Sequence, residues 1–164
     1  MSELETFLQI VGALANVTQL MIAQDQRLKQ FPIHETRSSG SRPDLPPAYI
    51  QELEKCNKEA LAAGQAALSQ QISVPKELSN HFERKIPDAV RIAMEAQVQH
   101  CWNQLVLILG NSNLYPTQRK LAHHKARQCV CNELEELTRY LGTLPADLQG
   151  YWNACGCPNP QIGG

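Results

Sequence analysis

Cysteine and histidine gather near the C-terminus: His123-His124 precede Cys129-Val130-Cys131, and Cys155-Gly156-Cys157 follows. These side chains bind zinc, form disulfides or act as nucleophiles. Zinc takes about four of them at about 2.0–2.3 Å from one point. On a helix, Cys129 and Cys131 are about 200° apart and leave from opposite flanks. "ARQCVCNELEEL" contains no helix breaker, so the two cannot share an ion. His124 and Cys131 do share a flank, but lie about 10 Å apart along the axis. His123 falls in line with Val130 and Leu134, as a boundary histidine rather than a ligand.

Cys155 and Cys157 sit in a Pro- and Gly-rich tail, where glycine lets both thiols turn the same way. Three readings follow. They plug the tail onto the body beside Tyr151 and Trp152, which is the favoured one. Alternatively they chelate zinc with ligands from elsewhere, or they close a tight, reducible disulfide. No cofactor is favoured, and zinc on Cys155 and Cys157 is the alternative. The opening "MSELE" is acidic where a secretory leader is basic. The expectation is therefore reduced thiols in the cytoplasm, with Cys56 and Cys101 as small buried hydrophobes.

Lys120, His123, His124 and Arg127 follow the i, i+3, i+4, i+7 spacing and share one side of a helix, with Arg119 and Lys125 close by. Positive charge in early turns opposes the helix dipole, so the stripe calls for an acidic partner. The chain's own Asp or Glu is the first candidate. An acidic surface on another subunit or a phosphate backbone is the second.

Catalytic signatures are missing: G-x-S-x-G, a Walker loop, H-E-x-x-H and G-x-G-x-x-G do not occur. Glu133 and Glu136 stand three apart, but a di-iron bundle also needs Glu-x-x-His motifs. Cys131, one turn from Arg127, is the best placed thiol for nucleophilic work. The net charge of −1 argues against bulk attraction to nucleic acid.

The elements that must position these residues are helical. Leu, Ala and Gln abound, and aromatic residues make up 5%. Residues 3–30 carry a heptad-like seam through Leu4, Phe7, Val11, Leu14, Thr18 and Met21, widened by Ile10 and Val17. Gln9, Asn16, Thr18, Gln19 and Gln24 interrupt the stretch too often for a membrane span, so no membrane partner is expected. Residues 31–47 form a Pro- and Ser-rich linker. Residues 48–142 form a three-helix body, with long helices at about 48–72, 87–110 and 117–141 and a short one at 75–85. Residues 143–164 hold a short helix and an irregular tail. The predicted fold is an all-α bundle of four long helices within one domain, 1–164.

A seam this wide exceeds one packing face. Phe7, Val11, Leu14 and Met21 are therefore expected to serve an intermolecular contact. The expected function is a non-enzymatic interaction or assembly subunit, with a protein partner or a homo-oligomer. A zinc-stabilised adaptor or nucleic-acid-binding module is the first alternative, and a thiol or redox protein the second.

Overall fold

The structure, a computed structural model, describes residues 2–31, 45–111 and 115–158. Most of the expected linker and the last residues of the tail, 159–164, lie outside the described residues. Those described form six α-helices, one 3-10 turn and no strand. They are α1 (Glu3–Leu28), α2 (Pro47–Ser69), α3 (Lys76–Lys85), α4 (Asp88–Leu109), α5 (Pro116–Leu141) and α6 (Gln149–Ala154), with the 3-10 turn at Ala146–Leu148. The all-α reading holds.

Proline sets the starts. Pro46, Pro75 and Pro87 each stand just before a helix, in extended backbone, and Pro47 and Pro116 occupy first helical positions. Proline fixes φ near the helical value and lacks the amide that would go unpaired there. Ser2 caps α1 by accepting from the Glu5 amide, and Gly142 ends α5 at φ 87°, a left-handed cap that favours glycine. Helix α2 stops at Ser69, earlier than its apolar pattern suggests. There Gln9 of α1 donates to the Leu68 and Gln70 carbonyls, giving the helix end its partners.

Helix α1 is the axis of the fold. Leu4, Phe7, Ile10, Val11, Ala13, Leu14, Val17 and Met21 are all buried. It runs antiparallel to α2, with Gln24 over Cys56 at one end and Gln9 over Leu68 at the other. Gly64 of α2 makes that approach close: a Cβ there would lie 2.3 Å from the Trp102 ring and 2.7 Å from Val17. Phe7 stacks on Phe82 of α3, ring centroids 6.2 Å apart. Gly12 meets Tyr151 of α6. By length and composition α1 could cross a membrane, yet 61% of its most apolar window is buried inside the fold.

Two expectations are corrected here. Phe7, Val11, Leu14 and Met21 are 0% exposed. The chain itself covers both edges of the seam, so these four form its core and offer no surface to a partner. Cys101, expected as a small buried hydrophobe, also lies off the core face of α4. Met94, Val98, Trp102, Leu105 and Leu109 are buried, while Val90, Cys101 and Ile108 are only partly so. The hollow at Gly64 draws the Trp102 ring inward, and Cys101 turns to the flank facing α5.

Candidate functional site

Helix α5 carries the chemistry-bearing residues, and its two flanks lead to different places. Cys129 is bridged to Cys101 of α4, and Cys131 to Cys157 of the tail. The opposed exits that forbid a shared metal allow two separate bridges. Cys155 and Cys157 therefore form neither a chelating pair nor a disulfide with each other. Cys157 is bonded elsewhere, and Cys155 is a buried free thiol. Burial pushes the Cys155 thiol up to about 11, although Arg127 and the Thr18 hydroxyl favour its thiolate. At neutral pH it is an inert thiol. Among the described residues, no group of three His, Cys, Asp or Glu is placed to hold a metal ion. With four cysteines bridged, the reduced-thiol ground for a cytoplasmic location falls away, because disulfides persist chiefly in oxidising compartments.

The basic stripe divides, with Arg127 and His123 partly buried and the other two exposed. Arg127 donates to the carbonyls of Cys155 and Gly156, which pins the tail, and Gly156 makes the turn at φ 59°. His123 Nδ1 lies 3.7 Å from Asp25 of α1. Burial holds His123 below its ordinary value against the pull of Asp25, so at pH 7 it is mainly neutral. Lys120 and His124 are exposed. The chain's own Asp25 pairs with Arg119, the stripe's neighbour.

Arg119, only a neighbour of the stripe in the sequence reading, is the buried one at 3% exposure. It donates to Asp25, to Gln24 and, at 3.0 Å, to Asn57. Gln24 in turn donates to the Cys56 carbonyl at 2.8 Å. The network ties α1, α2 and α5 together, and its charge-assisted bonds offset the cost of burying a guanidinium. Its sequence signal was the polar pair Gln24-Asp25 that follows the apolar seam of the first helix.

Of the surface grooves that border α5, two lie beside its disulfides. One, about 300 Å³, runs between α4 and α5. Leu105, Ile108, Ala122 and Ala126 line it together with the Cys101–Cys129 bridge, as do Gln97, His100, Gln104, Lys125, Gln128 and Asn132. The other, about 220 Å³, lies beside Cys131 and is lined by His124, Arg127, Trp152 and Pro158. Outside the first groove, α4 shows Ile92 at 69% and Leu107 at 68% exposure, and α5 shows Leu121 at 53%. From Ala96 to Tyr115 the sequence has no Asp, Glu, Lys or Arg. An exposed helix face this poor in charge has the composition of an interface centre.

Glu133 is a further group whose placement the sequence did not reveal. Its Oε2 is buried without a hydrogen-bond partner. Desolvation, and then the charge of Glu136, push its carboxyl up to about 7. No family model, curated protein or solved structure matches the chain.

Proposed function

We propose that this chain is a non-enzymatic helical interaction subunit, whose working surface is the outer side of α4 and α5. The carrying observation is the pairing of exposed Ile92, Leu107 and Leu121 with a twenty-residue stretch free of charged side chains. Surfaces that meet only water carry interspersed charge. Ones that meet protein are depleted in charge at their centre. The burial of the α1 seam moves the expected contact surface from α1 to α4. Cross-linking the full chain in its native source, followed by peptide mapping, tests the reading. Cross-links concentrated on α4 and α5 support it. A chain that neither captures a defined partner nor associates with itself overturns it.

A second reading, a thiol-based redox role, draws on Cys101. Of the four bridged cysteines, it alone is only partly buried, and its bridge opens on the groove with His100 and Lys125. Thiol–disulfide exchange requires such access. Equilibration against a series of thiol buffers tests it. A Cys101–Cys129 bridge that opens at mild potentials, well before Cys131–Cys157, supports the reading. Simultaneous opening only under strong reductant sinks it.

A further inference from the structure

We infer that the occupant of this surface is a second copy of the chain, docked about a two-fold axis with α4 and α5 facing their counterparts. The inference rests on the interaction-subunit reading and names its partner. Three observations carry it.

The surface holds both projecting and receiving features. Leu107 stands one turn from Gln104 on the α4 wall of the groove, and Leu121 stands one turn before Lys125 on the α5 wall. Between them the floor is apolar, formed by Leu105, Ile108, Ala122 and Ala126. An isologous contact needs this combination, because whatever projects from one copy must find its socket on an identical surface.

The charge pattern also fits a self-contact. A two-fold brings residues near the axis against their own counterparts, so a charged face repels itself and a neutral one does not. No charged residue occurs between Ala96 and Tyr115, and Lys125 is the only Lys, Arg, Asp or Glu lining the groove.

The polar groups present are self-complementary. Gln97, Gln99, Asn103 and Gln104 are exposed carboxamides. Each has a donor and an acceptor on one planar group, so each can pair with its own kind. Gln99 and Asn103 already do so within one copy, at 3.0 Å. Along α4 from Ala96 to Leu109 a charged partner would find no Lys, Arg, Asp or Glu to pair with, whereas a second copy meets amide with amide and leucine with groove.

Sedimentation of the full, oxidised chain from low to high micromolar concentration is the test. A concentration-dependent dimer is expected. The double change Leu107→Asn, Leu121→Asn should weaken it by at least about a hundredfold, with an unchanged helical circular dichroism spectrum, because both side chains are exposed. Asn103→Glu supplies a second variant that leaves the core untouched. It should weaken the dimer at low salt and recover as salt screens the like charges. A wild-type monomer at every concentration overturns the inference, as does a dimer indifferent to both variants. A monomer that nonetheless captures a defined protein from the native source fells this inference and leaves the interaction reading standing. A monomer that captures nothing fells both.

Discussion

Glu133→Gln should make the protein more stable at pH 8 and leave its stability at pH 4 nearly unchanged. The native carboxyl titrates at about 7 instead of 4.5 because it is partly desolvated and faces Glu136. Between those values the folded state holds a proton that the unfolded state has lost. Stability therefore falls as pH rises from about 4.5 to about 7, and is fully present only below the unfolded value. At about 1.4 kcal/mol for each intervening pH unit, the ceiling is about 3.4 kcal/mol. Solvent reaches a good part of this half-buried carboxyl, so screening reduces the expected effect to about 1–2 kcal/mol. Glutamine mimics the protonated acid and carries no such penalty. Denaturant melts of both proteins from pH 4 to pH 8 measure the difference, and taking that difference cancels the opposite slopes of paired carboxylates such as Glu52, held low by Arg27. A difference that stays flat across this window, or grows as pH falls, would show that Glu133 is solvated and the reasoning mistaken.

Gly64→Ala should destabilise by about 1–3 kcal/mol despite alanine's better helix propensity, because the new methyl would overlap the Trp102 ring; a thermal melt at or above wild type refutes it. Arg119→Met should cost about 3–5 kcal/mol by leaving Asp25, Gln24 and Asn57 without their shared donor, and an unchanged denaturation midpoint would contradict the network. Opening either disulfide should lower stability by about 2–4 kcal/mol, given loops spanning 28 and 26 residues; melts with and without reductant measure this, and coincident curves refute it. Native alkylation at pH 8 should spare Cys56 and Cys155, both buried thiols with raised pKa values. Rapid labelling of either, located by peptide mass, would refute their burial.

Helix positions were legible because proline and glycine punctuate this chain at nearly every boundary. Pro75 announces α3, Pro87 announces α4, and Gly142 ends α5. What periodicity could not reveal was what lies across from each face. The seam of α1 looked too wide for one neighbour, and it was: the fold surrounds that helix with its own elements instead of a partner. The burial of Trp102 depended on a hollow at Gly64, whose small size was visible but whose occupant was not. Cys129 and Cys131 were seen to diverge, which excluded a shared metal. Their pairing with Cys101 and Cys157 was a tertiary matter that spacing along one helix does not encode. Arg127 and His123 shared a helical side as expected, yet one holds the tail and the other faces Asp25.

The central position of α1 shapes the biosynthesis of this chain. This helix, long and apolar enough to cross a membrane, is made before the surfaces that cover it, which come from α2, α3, α4, α5 and α6. At roughly 5–20 residues per second, the stretch from Lys29 to Ala154 that supplies those elements takes about 6–25 s to emerge. Throughout that interval the nascent chain displays an oily, uncharged segment from Phe7 to Gln24 without its native covering. Chaperones and targeting factors that read exposed hydrophobicity compete for it before the fold can claim it. Efficient production should therefore depend on the machinery that meets the nascent chain, and moving α1 behind α6 by circular permutation should relax that dependence.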